Sequence, residues 1–190
     1  MTPTDRDAYL AFFRAAAALK DTLRSGFTPS GRPESTAEHT WRLCLIAVAL
    51  DDALGVDLRR LLELLIVHDL GEAVLGDVPA PLQSADGAGD KTADERAALA
   101  GLLAALPPPA AARLMARWDE YAAVATPEAQ MAKALDRLET VMTHVEGANP
   151  PDFDYAFNLG YGREHTDRAP LVAALREPLD AETARLAGRD

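Results

Sequence analysis

Apolar residues recur at helical spacing through most of this 190-residue chain, and polar stretches rich in Pro and Gly interrupt them at intervals. Thr4 or Asp5 caps a first helix that reaches about Lys20. The stretch from Asp21 to Pro33 holds Gly26, Pro29, Gly31 and Pro33 and reads as a loop. Ser35-Thr-Ala-Glu38 is a capping box that opens a second helix to about Leu54. Asp57 then caps a third, Leu58 to about Gly71, with a dense Leu/Ile/Val stripe. From Gly76 to Asp90 the chain is irregular, and loops of such length inside a compact domain are often functional. Thr92-Ala-Asp-Glu95 is a second capping box, for a helix that stops before Pro107, and Pro108 starts another that ends near Ala125. Thr126-Pro127-Glu128 supplies an N-cap, an N1 proline and a first-turn acid for a helix to about Glu146. Asn149-Pro-Pro ends it, and the tail from Asp152 contributes two further helices.

Composition sharpens this pattern into a fold class. The 38 Ala residues stand against 9 Val and 2 Ile, a balance that favours helices and disfavours sheets. The chain therefore reads as all-α, one domain over 1–190, with about six to eight helices. A lone cysteine, Cys44, excludes an internal disulfide, and the N-terminus lacks the basic-then-apolar layout of a signal peptide. The longest apolar run, Leu43 to Leu50, is too short to span a bilayer. A cytoplasmic protein without a membrane segment is expected. The formal charge of −11 argues against a nucleic-acid polymer or an anionic membrane as partner, but leaves room for a small anion in a local cationic pocket.

The chemistry sits in two histidines on apolar helix faces. His68 shares a stripe with Leu61, Leu64, Leu65 and Glu72, and His39 shares one with Leu43, Ile46 and Leu50. Each alone reads as a core histidine satisfied by a hydrogen bond. Together, with Asp69 beside one of them, they suit a divalent cation, because a buried carboxylate needs a positive partner. Asp136 lies off the centre of its helix's stripe, flanked by Ala132, Glu139 and Thr143. Wheel geometry fits a solvated carboxylate paired with Lys133 or Arg137 as well as a fourth ligand.

The order His39, His68-Asp69, Asp136 resembles the H…HD…D signature of the HD-domain metal-dependent phosphohydrolases. Three longer segments, 34–42, 68–79 and 134–139, are similar to the branch that contains the small single-domain 5′-deoxynucleotidases, and so is the tail Asp152–Gly162. The resemblance spans about residues 8–165, leaving 166–190 as a C-terminal helical extension. It implies a helical bundle with a metal site between core helices. One divalent ion (Mn, Co, Zn, Fe, Ni or Mg) would be held by His39, His68, Asp69 and Asp136, with open positions for water and a phosphate oxygen. Glu72 and Asp77 match the family's catalytic acids. Arg24 matches a phosphate-binding arginine, a fork suited to that anion. Lys91 and Glu95 match a Lys/Glu pair of the wider group, which makes Lys91 a candidate substrate contact, although a surface lysine and a capping-box acid account for the pair equally well. Ser25 follows Arg24 where the deoxynucleotidases carry a nearby tryptophan; the nearest aromatic here is Phe27.

The implied reaction is hydrolysis of nucleoside 5′-monophosphates, 2′-deoxy forms among them, by a metal-activated water in a homodimeric enzyme. The alternatives are another phosphate ester, a nucleoside triphosphate or alarmone, and a nucleotide-binding HD protein without turnover. No histidine lies between Asp69 and Asp136, which disfavours the binuclear forms of this fold, and no Gly-rich phosphate loop is present. His144 and His165 read as structural or exposed, Cys44 as packing, and Trp118 with Tyr121 as core or dimer contact.

Overall fold

The structure is a computed structural model that describes residues 2–77 and 91–188, Lys91 in its backbone alone. Its long helices are α1 (Pro3–Ala16), α2 (Thr36–Ala49), α4 (Leu58–Val67), α6 (Lys91–Leu103), α7 (Pro108–Ala123), α8 (Pro127–Glu146) and α11 (Pro170–Ala187). Short helical turns α3 (Asp51–Leu54), α5 (Glu72–Leu75), α9 (Tyr155–Asn158) and α10 (Arg163–Thr166) join them. Seven helices of ten or more residues among the described ones agree with the all-α reading.

Local chemistry sets the starts that matter for the site. Ser35 Oγ accepts from the Glu38 amide and the Glu38 carboxylate accepts from the Ser35 amide, the reciprocal box that opens α2. Asp57 accepts from the Arg60 amide to open α4, and Thr126 from the Ala129 amide to open α8. The core forms where their apolar faces meet. Leu43 and Ala47 of α2, Leu61, Leu64 and Leu65 of α4, and Leu135 and Leu138 of α8 are essentially inaccessible and make one cluster. A second joins Phe12, Val67, Leu99, Leu103 and Trp118 beneath α1, α6 and α7. Burial of this apolar area is the main term favouring the fold.

Several boundaries differ from the sequence reading. The expected loop after α1 contains a small antiparallel ribbon, β1 (Leu23–Phe27) with β2 (Pro33–Ser35). The Pro and Gly signals there belong to its turn, where the Gly31 amide donates to the Thr28 carbonyl at φ +84°. Helix α1 is capped by Thr2 with Asp5 completing the box, and it tightens into a 3₁₀ turn over Ala17–Lys20. The second helix divides at Leu50 into α2 and α3, and Gly55 ends α3 in the left-handed region. The third stops at Val67, so Glu72 is the first residue of α5 and not a late residue of α4. Helix α6 starts at Lys91, so Thr92 lies within its first turn. Of the expected irregular stretch, residues 78–90 lie outside the described ones, as does the Lys91 side chain.

The tail is three helical segments instead of two, tied to the bundle by one fully buried cation. Arg176 of α11, 1% exposed, donates to the carbonyls of Asn158 and Tyr161, to Thr166 Oγ1 and to Asp180. Each of its three nitrogens is engaged, which is how a buried guanidinium is tolerated.

A candidate metal centre and its cavity

Four side chains from three parts of the chain converge at one end of the first core cluster. Helix α2 delivers His39, the turn that follows α4 delivers His68 and Asp69, and α8 delivers Asp136. His39 is fully buried on the same face as Leu43 and Ala47, so core packing itself aims the imidazole inward. His39 Nε2 lies 3.3 Å from Asp136 Oδ1 and 3.8 Å from Asp69 Oδ2; His68 Nε2 lies 2.8 Å from Asp69 Oδ2 and 4.0 Å from Asp136 Oδ1. One ligand atom from each of His39, His68 and Asp136 falls within 4.8 Å of the others.

The two imidazoles are turned by their far nitrogens. His68 Nδ1 donates to the Leu65 carbonyl at 2.7 Å, and since a carbonyl only accepts, the Nδ1 proton is fixed and Nε2 keeps its lone pair. His39 Nδ1 is held by the buried Glu139 carboxylate, which also accepts from Arg42 Nε at 2.7 Å and Thr143 Oγ1 at 3.1 Å. Both Nε2 atoms are buried without a hydrogen-bond partner, although carboxylates stand close. Orphaned, convergent imidazole nitrogens beside two carboxylates fit a divalent transition ion better than they fit a hydrogen-bonded core.

Electrostatics point the same way. Burial and the Arg24 guanidinium oppose charge on His39, yet Glu139 and Asp136 outweigh them and push the imidazole up to about 10. Burial likewise opposes charge on Asp136 and Asp69, but Arg137 and His39 hold the first, and His68 and Arg24 the second, well below the usual carboxylate range. This point in the core favours positive charge, whether a proton or a metal cation carries it.

A cavity of about 420 Å³ opens over His68, Asp69 and Asp136. Glu72 and Asp77 stand on its wall, with Thr36 Oγ1 donating to Glu72 Oε2 at 3.0 Å. Burial, then Asp69 and Asp77, push Glu72 up to about 9. Arg24 enters from β1: Nη1 donates to Asp69 at 3.3 Å and Nη2 to Thr140 at 3.1 Å, and Nε lies 3.6 Å from Glu34. The ribbon reaches α8 only because residue 26 is glycine, where a Cβ would stand 2.6 Å from Thr143 Cγ2. Ser25 and Phe27 of the same strand also line the cavity.

Of the eight site residues read from the sequence, seven are described and share this centre or its cavity; the Lys91 side chain lies outside the described residues. Asp136 is buried, not solvated, because α8 is surrounded and buries residues on every side, where a one-sided wheel fails. Of the supporting residues, Glu139, Arg42 and Thr36 are not marked out as site residues by the sequence, and Tyr121 reads there as core or dimer contact. Tyr121 donates to Asp136 Oδ2 at 2.8 Å, so it belongs to the core and to the site at once, as does Trp118, which donates to the His68 carbonyl. Glu139 was within reach: it lies one turn after Asp136, inside a segment already matched. His144 is buried, bonded to Asn158 at 2.9 Å, and lines the cavity.

Against known proteins, the HD domain family matches residues 16–176. The chain is 30% identical to the 5′-deoxynucleotidase HDDC2 of Danio rerio over 94% of its length and 90% of that protein. It is 28% identical to the HDDC2 of Xenopus laevis, over 93% and 91%. Among solved structures, a predicted metal-dependent phosphohydrolase from Magnetospirillum magnetotacticum MS-1 aligns with a TM-score of 0.81 and 31% identity, covering 96% of this chain and 94% of that one.

Proposed function

The chain belongs to the HD domain family, and from that premise we propose that it releases phosphate from nucleoside 5′-monophosphates, 2′-deoxy forms among them. The observation that carries the reading is the pair of orphaned imidazole nitrogens meeting two carboxylates beneath a cavity with acids and cations on its wall. His39, His68, Asp69 and Asp136 are the residues to hold a divalent cation. Bound there, such an ion supplies Lewis acidity toward a phosphoryl oxygen and lowers the pKa of water.

The chain's own groups do the rest. Glu72 takes the proton of the attacking water from its position on the cavity wall. Burial, then Asp69 and Asp77, favour its protonated form, and positive charge at the neighbouring ligands would oppose the part that the two carboxylates contribute. Asp77, on the same wall, orients that water or protonates the departing 5′-oxygen. Arg24, fixed by Asp69, Thr140 and Glu34, presents a permanent cation to the phosphate, with Lys91 as a second contact. Tyr121 and Glu139 keep Asp136 and His39 in their orientations.

The whole chain acts as one domain in this reading, with the α11 extension completing the cavity wall through Arg176. A homodimer is supported by the exposed stripe Trp41, Leu45 and Val48 along α2, of which Trp41 is 66% exposed. The lone Cys44 fits the cytoplasm, and among the described residues no helix is long and apolar enough to cross a membrane. Purified protein supplied with Mn²⁺, Co²⁺ or Zn²⁺ should release phosphate from a panel of ribo- and deoxyribonucleoside monophosphates, and EDTA should abolish it. A panel of monophosphates that yields no phosphate with any metal overturns the assignment.

A further inference from the structure

Among the described residues, three permanent cations line the cavity: Arg24, Lys133 and Arg137. Two are already engaged. Arg24 is tied to Asp69, Thr140 and Glu34, and Arg137 donates to the Tyr161 hydroxyl, packs 4.9 Å over that ring and lies 3.7 Å from Asp136 Oδ2. Lys133 is different. It lies one helical turn before Asp136 on α8, so both side chains point to the same side. Its ammonium sits 3.8 Å from the centre of the Tyr121 ring and, among the described residues, makes no ion pair or hydrogen bond.

An ammonium largely withdrawn from water without a counter-ion is a cost to the folded protein. The face of Tyr121 offsets only part of it. Burial presses the Lys133 pKa down, and the attraction of Asp136 does not restore it. Such a group is retained where an anion arrives to pair with it. We propose that Lys133 is a specificity-determining contact, pairing with a non-bridging oxygen of the substrate's phosphoryl group from the Asp136 side while Arg24 approaches from the Asp69 side. This rests on the phosphohydrolase reading above. A compact ammonium on a flexible stem suits a tetrahedral dianion, and two cations from two elements distinguish a phosphoryl group from a singly charged carboxylate.

The test uses the full chain loaded with Mn²⁺ and inorganic phosphate as the probe, followed by titration calorimetry, for wild type, Lys133→Met, Lys133→Gln and Lys133→Arg. The expected result is a phosphate Kd raised about 10–100-fold in the Met and Gln variants, the scale of one charge-assisted hydrogen bond, with partial recovery in the Arg variant. Metal affinity should not change. The Tm of the metal-stripped Met variant should equal or exceed that of wild type, because an uncompensated charge has been removed. Lys133 is overturned as an anion contact if wild type binds no phosphate. Phosphate affinity within twofold of wild type in the Met and Gln variants overturns it too, as does a lowered Tm in both, since a merely structural lysine behaves that way. The two readings fail separately. If wild type hydrolyses no nucleotide yet binds phosphate through Lys133, the substrate assignment falls and this contact stands; hydrolysis undisturbed in the Met variant removes Lys133 alone.

Discussion

Glu139 never touches the cavity, yet its replacement should weaken metal binding. The carboxylate is fully buried and holds His39 Nδ1, while Arg42 and Thr143 fix it in turn. Glu139→Gln keeps the shape and one acceptor oxygen but loses the charge that sets the His39 tautomer and raises its basicity. Changes to such supporting partners cost about 10–100-fold in metal affinity, or about 1.4–2.7 kcal/mol. Gln belongs near the lower end because its carbonyl still accepts from Nδ1, whereas Glu139→Ala also leaves a void and belongs near the upper end. In the stripped protein the change breaks a buried ion pair, a loss of about 3–5 kcal/mol, softened because Arg42 keeps Glu146 at 2.8 Å. Metal at about 100 times its Kd returns roughly 2.7 kcal/mol of this. Chelator competition with Mn²⁺ or Zn²⁺, paired with melts with and without metal, measures both quantities. Metal affinity within twofold of wild type, in a Gln variant whose stripped Tm has fallen, refutes the argument: the pair would then be broken and His39 indifferent to it.

Glu72→Gln should leave metal affinity within about twofold while lowering kcat by about 10²–10⁴, the usual contribution of a positioned base; retained turnover removes Glu72 from the mechanism. The same variant tests the pH sign. A folded-state value near 9 against an unfolded value of 4.5 means stability fully present below 4.5 and lost as pH rises toward 9. The stripped Gln variant should therefore melt higher than wild type at pH 8 and alike at pH 4, and a lower Tm at pH 8 contradicts the burial argument. Gly26→Ala puts a methyl 2.6 Å from Thr143 Cγ2, which should cost about 1–3 kcal/mol and, by lifting β1, raise KM through Arg24. Unchanged melting and unchanged KM would show that the ribbon has slack there.

Apolar spacing made the main helices legible, and the starts of α2, α4 and α8 were legible as well, because side-chain caps that are local in sequence open them. The ribbon was not legible. Five and three residues are too few for alternation to register, and the Pro and Gly of its turn look the same in a loop. His39, His68 and Asp69 stood out because polar residues on an apolar stripe are informative. Asp136 did not, since a helix packed on all sides has no polar face against which to judge it. Glu139 and Lys133 escaped for a further reason: their roles come from a neighbour a hundred residues away or from a cavity, and neither leaves a local signature.

Arg176 bears on the order in which the protein becomes competent. The four metal-ligand candidates are all synthesised by residue 136, but Asn158 and Tyr161, which line the cavity, have their carbonyls gripped from residue 176. Synthesis therefore supplies the candidate ligands some forty residues before the side chain that fixes the cavity wall. The final helix is thus the last part that the cavity wall receives.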